Sequence, residues 1–189
     1  RQERKEASRV SVNAKVLADM ISMYADRGLT VDLHAAQMQE YFNIPFDNLY
    51  GYPSLITHLK KNHFEILDNL VIVSPDLGGG KRAEALVKRL NKQGIQVEIA
   101  FGHKTRAREN EVSKVVLIGD VEGKNCLIVD DIIDTGGTLI KTAEVLREKG
   151  ARNVYAYATH GLFTNEMKDF SVFNKVMVSD TLCCKTLPN

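Results

Sequence analysis

A chain of 189 residues is long enough for one large or two small domains with a sizeable core. Its 44% apolar and 26% charged residues are ordinary for a globular protein, and a formal charge of +1 gives no electrostatic reason to expect nucleic acid or an anionic membrane as partner. No apolar run approaches the ~20 residues of a membrane span. The start Arg1-Gln2-Glu3-Arg4-Lys5-Glu6 does not read as a signal peptide, and three cysteines, two of them adjacent, form no disulfide framework, so a reducing cytoplasm is expected.

From the N-terminus, a helical pattern over 14–25 follows a polar lead-in at Ser11 and Asn13 and stops at Gly28. A strand is expected over 29–33. Residues 43–53, irregular and carrying Pro45 and Pro53, read as a domain boundary that divides the chain into 1–51 and 52–189. The first part holds one helix, one strand and part of another helix, too little for an independent core. A strand over 70–74 leads through a glycine turn into a helix over 82–92 that ends at Gly94. Strands follow over 97–101, 115–119 and 126–129. The next helix carries Leu139, Ile140, Ala143 and Leu146 on one face and stops at Gly150. Strands over 154–158 and 176–178 close the series. Alternating apolar strands and helices predict an α/β fold with a parallel sheet covered on both faces. Ligands then sit beyond the carboxyl ends of the strands.

The most informative motif lies at such an end. The apolar run 126–129 meets two adjacent carboxylates, Asp130 and Asp131, then the turn Asp134-Thr135-Gly136-Gly137-Thr138, then a helix. Ionised carboxylates accept hydrogen bonds only, so the pair suits the two hydroxyls of a ribose diol. The turn can aim N–H groups and Thr hydroxyls at a 5′-phosphate, which the helix N-terminus also favours. A second glycine turn, Ser74-Pro75-Asp76-Leu77-Gly78-Gly79-Gly80, can cradle a diphosphate, with Asp76 beside the accompanying Mg²⁺. Strand alternation would put Asp32 and His34 on one face, as a phosphate or metal site, although Mg²⁺ prefers oxygen ligands. Residues 103–110 read as a basic, structure-poor connection able to close over a polyphosphate, and Lys81, Arg82, Lys88, Arg89 and Lys92 as a solvated helix face.

The sugar-phosphate loop resembles that shared by phosphoribosyltransferases and phosphoribosyl pyrophosphate (PRPP) synthetases. Further motifs resemble the synthetases: Arg-Gln-x-Arg-Lys-Glu at 1–6, Thr-Val-Asp-Leu-His-Ala-Ala-Gln at 30–37, Asn-Leu-Tyr at 48–50, Ser-Pro-Asp-Leu-Gly-Gly at 74–79, His-Lys-Thr-Arg at 103–106 and Ala-Thr-His-Gly at 158–161. The resemblance implies a phosphoribosyltransferase-like (type I) α/β fold with two related domains, the first incomplete: a partial N-terminal synthetase domain over 1–51 and a transferase-like domain over 52–189. It implies diphosphoryl transfer from MgATP to ribose 5-phosphate. Arg1, Gln2, Glu6, His34, Gly78 and Gly79 would face ATP, His34 and Asp76 the metal, and Lys104 and Arg106 would be catalytic. Asp130 and Asp131 would hold the diol directly or through metal, and 134–138 the 5′-phosphate. Gly80 and Lys81 stand where the family usually has apolar residues. The chain lacks an initiator Met and is expected to be a piece of a longer protein that forms a homo-oligomer, dimer-based and up to a hexamer. Two rival readings are a phosphoribosyltransferase consuming PRPP and a non-catalytic regulatory subunit that keeps the fold.

Overall fold

Strand pairing divides the molecule more sharply than the prolines of the sequence do. The computed structural model describes residues 11–105, 114–163 and 169–183. Two compact units meet between Gly51 and Tyr52.

The N-terminal unit contains α1 (Asn13–Ser22), β1 (Gly28–Val31), a 3₁₀ turn over Ala36–Tyr41 and β2 (Phe46–Leu49). Strands β1 and β2 run parallel, with Gly28 opposite Phe46 and Val31 opposite Leu49. Phe42 stacks on Phe46 with ring centroids 3.7 Å apart. Helix α1 ends three residues before the expected limit, and β2 lies inside the stretch expected to be irregular. The first strand stops at Val31 rather than 33 because Asp32 takes a left-handed conformation, φ 47°. That turn breaks the alternation on which a shared face for Asp32 and His34 depended.

The C-terminal unit contains α2 (Tyr52–Asn62), a 3₁₀ turn (Phe64–Leu67), β3 (Leu70–Ser74), α3 (Gly80–Lys92), β4 (Glu98–Thr105), β5 (Lys114–Ile118), β6 (Asn125–Ile133), α4 (Gly137–Glu148), β7 (Asn153–Gly161) and β8 (Lys175–Val178). Among the described residues these strands form one sheet in the order β5-β4-β3-β6-β7-β8. All neighbours are parallel except β4 and β5. Helix α2, which the sequence reading did not name, starts at the boundary and tolerates Pro53 in its first turn, where no intrahelical N–H is required.

Alternation along the central strands separates two apolar layers. Leu70, Ile72, Leu127, Val129, Tyr155 and Tyr157 face Leu55, Leu59, Leu86 and Leu90 of α2 and α3. Val71, Val73, Cys126, Ile128, Val154 and Ala156 face Leu139, Ala143 and Leu146 of α4. The expected parallel sheet with helices on both faces is present, except that its edge strand β5 runs antiparallel to β4. No helix among the described residues is long and apolar enough to cross a membrane.

Several elements are longer than the sequence suggests. Strand β4 continues to Thr105 because β5 pairs with it antiparallel, from Phe101 opposite Ile118 to Thr105 opposite Lys114. Residues 103–105, expected in a structure-poor connection, thus belong to a strand. Strand β6 runs through both carboxylates to Ile133 instead of ending at 129, since β7 pairs with it as far as Gly161.

Candidate functional site

Strand order reverses between β3 and β6: from β3 the chain proceeds to β4 on one side, and β6 and β7 build the other. In an open α/β sheet such a reversal leaves a crevice beyond the carboxyl ends of the two strands. Both glycine turns singled out in the sequence follow those two strands, one each.

The turn after β3 is held from within. Ser74, fully buried, donates its hydroxyl to the Asp76 carbonyl at 2.7 Å. The Gly79 N–H donates to Asp76 Oδ1 at 2.9 Å, which ties the turn to the start of α3. A Cβ on Gly79 would lie 2.8 Å from Ser74 Oγ, and one on Gly102 of β4 would lie 3.0 Å from the Pro75 carbonyl. Asp76, Leu77 and Gly78 remain exposed.

Asp130 and Asp131 stand on β6 itself, in the middle of the sheet. Regular alternation would send them to opposite faces, but Ile133 joins the layer of Cys126 and Ile128, so the alternation slips after Val129. The Asp131 N–H donates to Asp130 Oδ1 at 2.9 Å. Arg82, at the start of α3, places Nη1 3.7 Å from Asp130 Oδ1 and 3.7 Å from Asp131 Oδ1. All three side chains are largely buried, Asp131 most of all at 2% exposure. Burial first, and then the neighbouring Asp131 carboxyl, push the Asp130 carboxyl up to about 7, against the opposing pull of Arg82. Arg82 corrects the sequence reading, which assigned it to a solvated face.

The turn after β6 is held from outside. Gly136 has φ 77°, and a Cβ there would lie 2.4 Å from Cζ of Phe170. Helix α4 begins at Gly137, with the Ile140 N–H donating to the Gly136 carbonyl at 2.9 Å, and the Thr142 hydroxyl donating to the Thr138 carbonyl at 2.9 Å. Asp134 is exposed, Thr135, Gly137 and Thr138 are half-buried, and Gly136 is buried. The start of α4 thus turns the positive end of its helix dipole toward an anion. On the neighbouring strand the Ala158-Thr159-His160-Gly161 segment ends β7, with His160 Nδ1 2.8 Å from Thr181 Oγ1.

The remaining candidates divide into three groups. In the N-terminal unit, Asp32 is buried and its Oδ2 accepts the Gly51 N–H at 2.8 Å, a structural role, while His34 is exposed. Lys104 has its backbone in β4, opposite Val115, and its side chain lies outside the described residues. Arg1, Gln2, Glu6 and Arg106 also lie outside them. The geometry therefore brings together Asp76, Gly78 and Gly79 at one strand end and Asp130, Asp131 and 134–138 at the next. Among the described residues no group of three or more His, Cys, Asp or Glu is arranged to hold a metal ion by itself.

A family model described as the phosphoribosyl transferase domain matches residues 46–180. Ribose-phosphate pyrophosphokinase of Vibrio parahaemolyticus is 48% identical over 187 residues, covering 96% of this chain and 57% of that protein. Ribose-phosphate pyrophosphokinase 3 of Saccharomyces cerevisiae is 44% identical over 189 residues, covering 100% of this chain and 56% of that one. The crystal structure of phosphoribosylpyrophosphate synthetase from Mycobacterium smegmatis matches with a TM-score of 0.75 and 36% identity, over 87% of this chain and 51% of that one. The chain spans a little over half the length of the curated relatives it matches. With two glycine turns flanking the switch point, a carboxylate pair on the strand between β3 and β7, and this likeness along nearly all its length, the chain belongs to the phosphoribosyl transferase domain family and resembles the ribose-phosphate pyrophosphokinases.

Proposed function

We propose that this chain is part of a ribose-phosphate diphosphokinase. In that reaction the 1-hydroxyl of ribose 5-phosphate attacks the β-phosphorus of ATP. The bond from that phosphorus to the α,β-bridging oxygen breaks, AMP leaves, and the hydroxyl proton passes to solvent or base, giving PRPP. The observation that carries the reading is the pairing of two anion-compatible turns across adjacent strand ends, with Asp130 and Asp131 beside them.

The residues supply positioning and charge more than covalent chemistry, which is what phosphoryl-type transfer requires. Asp130 and Asp131 accept the ribose hydroxyls, and Asp134, Thr135, Gly136, Gly137 and Thr138 receive the 5′-phosphate at the start of α4. Gly78 and Gly79 receive the diphosphate being moved. Arg1, Gln2, Glu6 and His34 face ATP, and Lys104 and Arg106 stabilise charge on the transferring group. Asp76 fits Mg²⁺ by its chemistry, since an exposed carboxylate offers the oxygen donor that this ion prefers. Bound Mg²⁺ would neutralise phosphate oxygens; Asp76 would contact a metal ion in the C-terminal unit and His34 in the N-terminal unit. The full-length protein is proposed to act in the cytoplasm as a homo-oligomer, dimer-based and up to a hexamer, with no nucleic acid or membrane partner.

The test is AMP and PRPP formation from MgATP and ribose 5-phosphate by this chain and by Lys104→Ala. Turnover reduced about a hundredfold in the variant is expected for loss of one transition-state cation. A chain that fails to bind ribose 5-phosphate would overturn the proposal.

A further inference from the structure

Arg82 has no part in either glycine turn by sequence, yet its side chain lies between the turn after β3 and the carboxylate pair of β6. It belongs to the first turn of α3, and its Nη1 lies 3.9 Å from where a Cβ on Gly79 would be, so the guanidinium passes along the turn after β3. From there it reaches over to β6 and faces both carboxylates at 3.7 Å. That distance is beyond a hydrogen bond, so these two contacts are Coulombic and occupy no N–H donor. A guanidinium has five donors in a planar fork that fits phosphate oxygens two at a time. At 19% exposure it is sheltered enough for such a contact to count and open enough for a ligand to reach.

We propose that Arg82 is a substrate-binding residue that couples the two halves of the site, turning from the Asp130–Asp131 pair to the diphosphate as that group enters the Gly78–Gly79 turn. This rests on the proposed function above, because it takes one turn as the diphosphate seat and the carboxylates as the diol seat. Before the diphosphate arrives, Arg82 offsets the two crowded carboxylates. Once it turns away, the carboxylates lose that counter-charge and become stronger acceptors for the ribose hydroxyls, so binding of one ligand favours the other. A helix-face arginine with a purely structural role would link the two ligands in no such way.

The experiment is titration calorimetry with the full chain, using magnesium pyrophosphate and ribose 5-phosphate, each alone and in the presence of the other. The unmodified chain is expected to bind ribose 5-phosphate at least five times more tightly with magnesium pyrophosphate present. Arg82→Ala is expected to weaken magnesium pyrophosphate by about tenfold to a hundredfold, the range for hydrogen bonds to a charged group. It should bring the mutual enhancement close to one and tighten ribose 5-phosphate alone by about the factor that magnesium pyrophosphate gives the unmodified chain. Arg82→Lys, which keeps the charge without the fork, should recover part of the pyrophosphate affinity and little of the enhancement; it also serves if the alanine variant does not fold. Unchanged pyrophosphate affinity and enhancement in both variants, or no enhancement in the unmodified chain, would overturn the coupling role while ribose 5-phosphate binding still supported the proposed function. Failure of the unmodified chain to bind ribose 5-phosphate would overturn both.

Discussion

The two turns at the switch point do similar work with opposite construction. After β3, the loop is fastened by its own side chains, with Ser74 and Asp76 each closing a short hydrogen bond. After β6, the loop has a left-handed glycine with an aromatic ring pressed against it from another part of the chain. The first arrangement leaves the loop tip exposed and adjustable; the second fixes a backbone conformation that only glycine adopts cheaply. Under the proposed function, the diphosphate would meet a self-supporting loop and the sugar phosphate a mould whose shape depends on Phe170.

Substitutions can break this contrast. Gly136→Ala should have the largest effect, because a Cβ meets both a φ of 77° and Phe170. Strain at the left-handed residue and overpacking together predict a loss of about 2–4 kcal/mol. Thermal denaturation should show it as a Tm lower by roughly 6–12 °C. Adding Phe170→Ala should recover only the packing part; full recovery would mean that the backbone conformation is not constrained. Gly79→Ala should cost less, since the atom it meets, Ser74 Oγ, ends a short side chain that can rotate.

Asp130→Asn sharpens the comparison through pH. The folded-state value of Asp130, about 7, is raised above the ordinary carboxylate value of 3.8. Its proton thus stabilises the fold fully below the unfolded value, and that contribution is lost as pH rises through about 7. The unmodified chain should lose Tm from about pH 4 to about pH 8, and Asp130→Asn should flatten that slope and raise Tm at about pH 8 by several degrees. A slope unchanged in the variant would show that the carboxyl titrates in its ordinary range.

Asp76 should give the smallest effect on stability. Asp76→Asn keeps the oxygen that accepts the Gly79 N–H, so Tm should change by no more than about 2 °C, whereas Asp76→Ala should cost about 1 kcal/mol. Both should weaken magnesium pyrophosphate, because both remove the charge. Equal Tm losses in the two variants would show that the hydrogen bond does not hold the turn.

Much of this was legible in the sequence where local chemistry decides the structure. Residues 70–74 are an apolar run closed by Pro75, and the strand has those limits. The glycine turns announce themselves by composition. What depends on a neighbouring strand was not legible: two adjacent carboxylates look like the end of a strand, yet pairing with β7 carries β6 past them. The same holds for β4, lengthened by an antiparallel partner. Arg82 was missed because helical phase says only that it flanks buried Ala83, not that this end of α3 overlies β6. Asp32 was misread because its left-handed backbone, secured by the Gly51 N–H, cannot be read from alternation.

The adjacency of β3 and β6 has a metric consequence. Neighbouring strands lie about 4.8 Å apart, a separation set by backbone hydrogen bonds and independent of side-chain choice. If one reactant is received at the end of each strand, as proposed, the sheet works as a ruler for the distance between nucleophile and electrophile. Side chains can adjust affinity on either side of that gap, but its width belongs to the peptide ladder between Val73 and Ile128.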